Sequence, residues 1–319
     1  MRILRIATLA VAASVLAVSG FAASAQDKLK LALGQRGNWD TAIAELGQQA
    51  GIFKKRGLEL EILWTQGAGE SQQAVISGGV DIGLAGTLAA LGAFQKGAPL
   101  RIIAAEATGA ADFWYVRADS PIKTIKDLGG KTIAYSTNGA STHTLVLAFL
   151  KEGGAAGKPV ATGGPSQTFT QVMSGQVDVG WSAPPFGLQA AQENRIRIIA
   201  RASDVAVGRN QTIRALVTTA SVLQSRSDAI QRFVQGYRET IDWMYTSDDA
   251  LKAYAAFAKV PFDMAKHVRD DFFPKSLVWP DKVNGLDTLM QDGITFKYLA
   301  EPLTAAQIAE VVKIPAPIK

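Results

Sequence analysis

The stretch KLKLALGQRGNWDTAIAELGQQAGIFKKRGLELEILW, residues 28–64, carries the pattern that decides the fold. Its first six residues alternate between polar and apolar side chains, which predicts a β-strand. A glycine-containing loop follows, and apolar residues then recur at helical spacing from Trp39 to Ala50, with Gly51 as a C-cap. Leu58 to Trp64 alternates again and predicts a second strand. This order predicts a βαβ unit and a mainly parallel sheet with helices on both faces, the α/β class.

Strands and helices keep alternating beyond this stretch. Further strands are predicted at Val80–Leu84, Lys131–Tyr135, around Val160 and at Val177–Trp181, and further helices at Ser71–Ile76, Ser141–Leu150 and Ser166–Met173. The segments Ile76–Gly83 and Met173–Gly180 resemble each other along their length. This similarity favours two related lobes, the alternative being chance likeness of a common helix–turn–strand pattern.

The pattern changes from Thr212 onward, where one strand precedes a mostly helical tail. The predicted elements are a strand at Thr212–Thr219 and helices at Ser227–Tyr245, Leu251–Ala258, Asp263–Val268 and Leu286–Tyr298. A tail that packs on the first lobe requires two chain crossings between lobes. We therefore expect lobe I to comprise residues 26–114 and 208–319 and lobe II residues 115–207, with the ligand cleft between them.

Residues 1–25 have the three parts of a secretory signal peptide. Arg2 and Arg5 form a basic start, an apolar run extends from Ile6 to Val18, and Ala23-Ser24-Ala25 is a small-x-small cleavage site. The run is shorter than the roughly 20 residues of a membrane-spanning helix, so an uncleaved anchor is the weaker alternative. The chain contains no Cys, which excludes disulfides and a lipid-modified cysteine. We expect a cleaved, periplasmic protein.

Charge and residue types argue against several classes of function. Removing Arg2 and Arg5 with the signal peptide lowers the formal net charge from +5 to +3. The basic residues form no stripe, so we expect no nucleic-acid partner. His143 and His267 are the only histidines, and their separation argues against a metal site. Motifs of hydrolases, phosphate-binding loops and zinc proteases are missing, so we expect a binding protein with no cofactor and no enzymatic activity.

Three glycine-containing loops, Gly34–Trp39, Gly67–Glu70 and Thr137–His143, join predicted strands to predicted helices. In open α/β sheets, ligands bind at the carboxyl ends of the strands. The free N–H groups of such loops and the positive end of the helix dipole bind anions. With residues that follow other strands, the loops give these candidate ligand-binding residues: Gln35, Trp39, Gly67, Gly69, Glu70, Gly86, Thr87, Asn138, Gly139, Ser141, Thr142, His143, Trp181, Pro184 and Arg214.

Each candidate also has an ordinary structural explanation. Trp39 is either a stacking surface for the ligand or a packing residue. Ser141 donates a hydroxyl to an anion or only caps a helix, and His143 binds a ligand oxygen or packs against the other lobe. Glu70 favours the helix dipole or contacts a ligand ammonium group. Arg214 neutralises an anionic ligand or pairs with a nearby carboxylate.

Four blocks of sequence together resemble one known family. The blocks are GIFKKRGLELEI (51–62), SGGVDIG (77–83), DSPIKTIKDLGGK (119–131) and GASTH (139–143). In this order they resemble the nitrate/sulfonate/taurine-type ABC transporter substrate-binding proteins, the NMT1/THI5-like family, over nearly all of the chain after residue 25. Ala140 departs from the family pattern, which has a second Ser there, and this weakens a specific assignment to alkanesulfonates.

The resemblance implies a two-lobed type II periplasmic-binding fold that closes on its solute like a hinged clamp. It implies that the first-lobe loops and Gly139–His143 contact the solute. The solute would be a small organic anion such as a sulfonate or taurine, delivered to an ABC permease and ATPase in the membrane. Nitrate, bicarbonate and aromatic carboxylates also remain open. We expect a monomer. The alternative is an exported enzyme or a sensor subunit on the same fold, binding an aromatic carboxylate or a pyrimidine.

Overall fold

The computed structural model describes residues 26–318, and within it residues 28–64 fold as the predicted βαβ unit. Strand β1 (Asp27–Gly34) pairs in parallel with strand β2 (Leu58–Thr65) along its whole length. The first half of β1 buries Leu29 and Leu31 and exposes the lysines between and before them, as the alternation predicts. The second half is buried continuously because β1 lies inside the sheet, with neighbours on both sides.

The first sheet also contains β3 (Ile82–Gly86), β4 (Leu100–Thr108) and β10 (Thr212–Thr219). Strand β3 lies parallel to β1, and β10 lies antiparallel between β3 and β4. The order of the five strands is β2-β1-β3-β10-β4. The strand predicted at Thr212–Thr219 is confirmed. Periodicity does not predict β4, because almost all of its side chains are buried on both faces and the polar–apolar alternation is lost.

A second group of strands forms from the middle of the chain. Its members are β5 (Phe113–Arg117), β6 (Thr132–Tyr135), β7 (Lys158–Ala161), β8 (Gly180–Ser182) and β9 (Ile196–Arg201). Strand β5 lies antiparallel between β8 and β9, and β6 pairs in parallel with β7. A single bridge between Ile133 of β6 and Val179, directly before β8, joins the pair β6-β7 to the three strands β8-β5-β9.

We call residues 27–108 and 212–312 the first unit and residues 113–201 the second unit, after the sheets they build. The chain crosses between them at 109–112 and 202–211. Strand β5 begins at Phe113 and pairs only within the second unit among the described strands. The expected lobe boundary between residues 114 and 115 therefore falls inside β5. The division into two lobes itself stays a prediction.

Fourteen α-helices cover the sheets in the part of the chain from 26 to 318. They are α1 (Ile43–Gln49), α2 (Ile52–Lys55), α3 (Ala68–Ile76), α4 (Thr87–Gln95), α5 (Ser141–Gly153), α6 (Pro165–Met173), α7 (Leu188–Gln192), α8 (Ala220–Ser225), α9 (Ser227–Thr246), α10 (Asp248–Ala258), α11 (Phe262–His267), α12 (Lys275–Val278), α13 (Leu286–Thr295) and α14 (Ala305–Val311). Over these residues, no helix has both the length and the apolar character needed to cross a membrane. The predicted signal peptide lies outside the described residues.

Several predicted boundaries are wrong by a few residues. The helix expected from Trp39 begins at Ile43, because Thr41 donates its hydroxyl to the carbonyl oxygen of Gln35 at 2.9 Å and holds the preceding residues in a turn. The helix expected to end at Tyr298 ends at Thr295. The strands expected at 80–84 and 177–181 begin two and three residues later, at Ile82 and Gly180.

The long helix α9 packs the helical tail onto the first unit. Its predicted apolar stripe is buried: Ile230, Phe233, Val234, Tyr237, Ile241 and Met244. The ring of Phe233 stacks on Phe53 of α2 at a centroid distance of 5.5 Å. The tail therefore belongs to the core of the first unit, as the sequence predicts.

The two similar segments occupy equivalent places in the two units. Asp81 accepts a hydrogen bond from the backbone N–H of Lys30 at 2.8 Å, and Asp178 accepts one from the N–H of Thr132 at 2.9 Å. Each aspartate thus joins a turn after a helix (α3 or α6) to the beginning of a neighbouring strand. This is a structural role.

Candidate functional site

Glycine loops of the first unit lie directly against the Thr137–His143 loop of the second unit. The backbone N–H of Gly69 donates to Thr137 Oγ1 at 3.1 Å. A Cβ atom at Gly69 would overlap the carbonyl oxygen of Asn138, and a Cβ at Gly86 would overlap that of Gly139. The two backbones can approach this closely only because these positions lack side chains. The tertiary structure thus brings Gly67, Gly69, Gly86, Asn138 and Gly139 together.

Beside this contact, Arg214 lies at the centre of a buried ionic cluster with Asp40, Glu106 and Asp112. Its Nε donates to Glu106 Oε2 at 2.9 Å, its Nη2 pairs with Asp40, and its Nη1 lies 3.6 Å from Asp112 Oδ2. All four side chains are at most 4% exposed. The positive charge of Arg214 is therefore already met by carboxylates. This corrects the expectation that Arg214 is available to neutralise an anionic ligand.

The cluster shifts the protonation of its own members. Burial, followed by the neighbouring Asp40 and Asp112 charges, raises the pKa of Glu106 to about 7, although Arg214 acts in the opposite direction. Burial also raises the pKa of Asp112. The pKa of the Tyr237 phenol is raised by burial and by the charges of Glu106 and Asp40. One arginine thus does not compensate the desolvation of three acids.

Two residues at the start of α5 have different partners. Arg214 Nη1 donates to the hydroxyl oxygen of Ser141 at 3.4 Å, and this bond connects the second unit to the ionic cluster. Thr142 Oγ1 accepts from the backbone N–H of Ser136 at 3.0 Å and bonds to its hydroxyl at 2.8 Å. Thr142 therefore holds the Thr137–His143 loop in shape, and Ser141 faces the first unit.

Trp39 is fully buried within the first unit. Its Nε1 donates to the hydroxyl of Tyr245 at 2.9 Å, and its ring meets the ring of Tyr254 edge-on at 4.7 Å. Trp181 is likewise fully buried and donates to the carbonyl oxygen of Gly163 at 3.2 Å. The structure thus places both indoles in packing positions, which is the ordinary explanation of these residues.

His143 and Glu70 lie at the margins of the contact. The His143 ring stacks on Tyr135 at 4.3 Å, its Nδ1 is 3.4 Å from the Tyr298 hydroxyl, and burial lowers its pKa. Glu70 is exposed and accepts from the N–H of Gln66 at 2.9 Å, at the beginning of α3. This position suits the helix dipole.

The remaining candidates surround the contact on several sides. Gln35 is buried with a positive φ of 61° and lines a groove of about 470 Å³ between the units. Thr87 is fully buried, and its Oγ1 has no hydrogen-bond partner among the described residues. Pro184 is buried and precedes Phe186, whose ring touches Gly37. A separate cavity of about 270 Å³ is lined by Arg214 and the two crossing segments.

Sequence reasoning did not identify the three acids of the ionic cluster. Glu106 is the single acid in the mostly apolar stretch Leu100–Thr108, and an acid within a buried strand is a usable signal. Asp40 directly follows Trp39, and Asp112 lies in a crossing segment. Only the fold shows that these positions, far apart in the chain, meet at one arginine. In the described part of the chain, no group of three acids or histidines is arranged to hold a metal ion.

The sequence profile described as "NMT1/THI5 like" matches residues 38–250, more than half of the chain. The chain therefore belongs to the NMT1/THI5-like family. It is 28% identical over 207 residues to the putative aliphatic sulfonates-binding protein of Escherichia coli (strain K12), a match that covers 63% of this chain. The match spans 62% of that relative, which is less than two thirds of its length.

Solved structures share the fold at low sequence identity. The alkanesulfonate-binding protein SsuA from Xanthomonas axonopodis pv. citri, bound to MOPS, superposes with a TM-score of 0.72 at 17% identity, over 91% of this chain and 99% of its own. The periplasmic nitrate-binding protein NrtA from Synechocystis PCC 6803 superposes with a TM-score of 0.66 at 16% identity, over 90% and 85% of the chains. The chain has the α/β fold of periplasmic binding proteins, as the sequence predicts.

Proposed function

We propose that this chain is the solute-binding protein of an ABC importer and binds a small organic molecule between its two units. The observation that carries the proposal is the glycine contact, in which Gly69 and Gly86 of the first unit touch the backbone of the second. This contact lies beside the buried polar cluster around Arg214. Membership of the NMT1/THI5-like family and the fold of periplasmic binding proteins support the proposal.

In this mechanism the two units act as lobes of a clamp, lobe I being residues 26–114 and 208–319 and lobe II residues 115–207. A solute that touches both lobes binds the closed arrangement better than the open one, and this difference in affinity drives closure. Direct contact between the two backbones is what a closed arrangement requires. Any side chain at Gly86 would hold the lobes apart.

The solute is expected to carry an acidic group, as sulfonates, taurine and small carboxylates do. Helix α5 has 13 residues and begins at Ser141, next to the glycine contact. The N–H groups of His143 and Thr144 donate to the carbonyl oxygen of Ala140, at 3.0 and 3.3 Å, so those of Ser141 and Thr142 are the ones left at the positive end of the helix dipole. They suit an anion together with the loop glycines and the Ser141 hydroxyl. The similarity to a putative aliphatic sulfonates-binding protein and to an alkanesulfonate-binding protein supports this class of solute.

The expected partners are the permease and ATPase subunits of the importer, and the expected place is the periplasm after cleavage of residues 1–25. The protein would act as a monomer that presents both lobes to the permease. In this proposal it binds and releases its solute unchanged, so purified protein should not convert any solute that it binds.

A thermal-shift screen of purified protein against sulfonates, taurine, carboxylates and nitrate tests the proposal. A solute at a thousand times its Kd adds about 4 kcal/mol to the free energy of unfolding, which raises the Tm by roughly 6 °C in a protein of this size. Gly86→Ala should abolish the shift, because its Cβ blocks closure. Gly129→Ala is the matched control, since a Cβ there meets nothing within 4 Å. Unchanged binding by Gly86→Ala, or turnover of a bound solute, would refute the proposal.

A further inference from the structure

The ionic cluster around Arg214 contains more negative than positive groups. Asp40, Glu106 and Asp112 are each at most 1% exposed and share a single guanidinium group. Taking an ion out of water costs several kcal/mol, which a partner of opposite charge must offset. Arg214 can offset one carboxylate fully. The cluster is therefore short of positive charge.

Three carboxylate oxygens of two of the acids also lack hydrogen-bond donors among the described residues. Glu106 Oε1 and both carboxylate oxygens of Asp112 are buried and have no hydrogen-bond partner within residues 26–318. The 3.6 Å approach of Arg214 Nη1 to Asp112 is an ion pair beyond hydrogen-bonding distance. Buried polar atoms are almost always hydrogen-bonded in native proteins. These three oxygen atoms are thus acceptors that require a donor from elsewhere.

The chain neighbours of both acids line space that a small molecule can enter. Arg214 Nη1 approaches both Asp112 and Ser141, so one of the two acids and the beginning of α5 meet at one atom, while Glu106 is bound by Nε of the same guanidinium group. Arg214 lines the cavity of about 270 Å³ between the crossing segments. Ala107 and Ala111, the chain neighbours of Glu106 and Asp112, line the same cavity. A solute whose acidic group lies at Ser141 would place its other end at these acids.

We propose that Glu106 and Asp112 bind a cationic, hydrogen-bond-donating group of the solute, an ammonium or guanidinium group, so that the preferred solute is a small zwitterion. This inference rests on the proposed function, since it names the second charged group of the solute. Such a group supplies the donors that three carboxylate oxygens lack and the positive charge that the cluster lacks. Glu70, the acid that the sequence offers for an ammonium group, is exposed at the beginning of α3.

Protonation of the cluster is consistent with this assignment. With a pKa of about 7, Glu106 carries a proton for part of the time at neutral pH. A bound cation would replace that proton as the counter-charge, so binding would release protons to the solution. The charged and titratable groups that face Glu106 are Asp40, Asp112, Arg214 and the phenol of Tyr237.

Matched pairs of solutes test the inference by isothermal titration calorimetry. Taurine is compared with isethionate, and β-alanine with 3-hydroxypropionate, so that only an ammonium group is exchanged for a hydroxyl group. We expect the ammonium compounds to bind at least about tenfold more tightly, as for hydrogen bonds to charged groups. Equal affinity within both pairs overturns the inference and leaves the proposed function intact. Absence of binding by all four compounds and by the wider panel of acidic solutes contradicts the proposed function itself.

Two conservative variants test whether Glu106 and Asp112 cause the preference for the ammonium compound. Glu106→Gln and Asp112→Asn should each reduce the preference for the ammonium compound, and neither should lower the Tm of the ligand-free protein, because each removes excess buried charge. Asp178→Asn is the control, an aspartate outside the cluster that joins a turn to a strand. It should leave the preference unchanged. A preference that persists in both cluster variants, with the proteins folded, would assign the recognition of the cation to other residues.

The pH dependence of binding gives an independent readout. Affinity for the ammonium compound should rise between pH 6 and 8, because the cation favours ionised Glu106 and the proton that it displaces becomes easier to remove. Titrations in two buffers of different ionisation enthalpy should show proton release. Affinity that falls with rising pH, or proton uptake on binding, would place a negative group at the cluster and contradict the inference.

Discussion

The behaviour of Arg214 shows how far a single residue depends on its surroundings. On a surface, an arginine paired with a carboxylate contributes little to stability. Arg214 is instead 4% exposed in side-chain area and is the centre of three acidic contacts. Its charge makes the burial of those acids possible, and its Nη1 joins them to Ser141 of the second unit. The same residue type thus has a structural role here that composition alone does not indicate.

Removing the positive charge of Arg214 should destabilise the protein. We expect Arg214→Gln to lower the free energy of unfolding by about 3–5 kcal/mol at pH 8, because three buried carboxylates lose their counter-charge. Urea unfolding followed by tryptophan fluorescence measures the change. The loss should shrink at pH 5, where the acids are protonated more easily. Arg117→Gln is the control, since Arg117 pairs with Asp119 on the surface and should cost less than about 1 kcal/mol. Similar losses in the two variants would contradict the charge argument.

At the scale of elements, the loop after β1 is fixed by helices from the far end of the chain. Trp39 lies in this loop and contacts Tyr245 of α9 and Tyr254 of α10. The hydroxyl of Tyr254 donates to the carbonyl oxygen of Gly37 at 3.0 Å. The helical tail therefore sets the position of the loop that carries Gln35 and Asp40 beside the site.

Trp39→Ala should consequently lower the stability of the protein. We expect a loss of about 3–5 kcal/mol in the free energy of unfolding, the usual range for truncation of a large buried aromatic side chain, measured by chemical denaturation. Trp64→Ala is a suitable control, because Trp64 is only partly buried on β2. Weakened solute binding by Trp39→Ala at unchanged stability would instead indicate that the indole contacts the solute directly.

For the whole molecule, the buried acids make stability depend on pH. Glu106 holds its proton more tightly in the folded protein, where its pKa is about 7, than in the unfolded chain. Between about pH 4.5 and pH 7 the unfolded chain therefore binds fewer protons than the folded one. The stability due to this group is complete below that interval and is lost as pH rises through it, with a slope of up to about 1.4 kcal/mol per pH unit.

Urea unfolding of the wild-type protein and of Glu106→Gln from pH 5 to 8 checks this expectation. The difference between the two proteins isolates the glutamate, because His143, whose pKa is lowered by burial, contributes the opposite slope to both. The advantage of the variant should grow as pH rises. A constant difference across the range would show that Glu106 is ionised throughout.

The sequence by itself determined many of the elements and the class of fold. Alternating stretches such as Lys28–Leu31 and Leu58–Trp64 predict strands because period-two burial is a local property of the chain. The stripe on α9 is predictable for the same reason. The glycine loops that meet between the units were also visible, since a short turn leading into a helix is encoded by neighbouring residues.

Only the tertiary structure decided what the polar residues do. Strand β4 is buried on both faces, so neither the strand nor the meaning of Glu106 can be read from periodicity. Arg214 meets Glu106, 108 positions away in the chain, and Asp40, 174 positions away. Electrostatic partnership and desolvation depend on distances in space, and these follow from the folding of the whole chain. The sequence therefore pointed to the loops of the proposed site, and the fold determined which charges lie beside them.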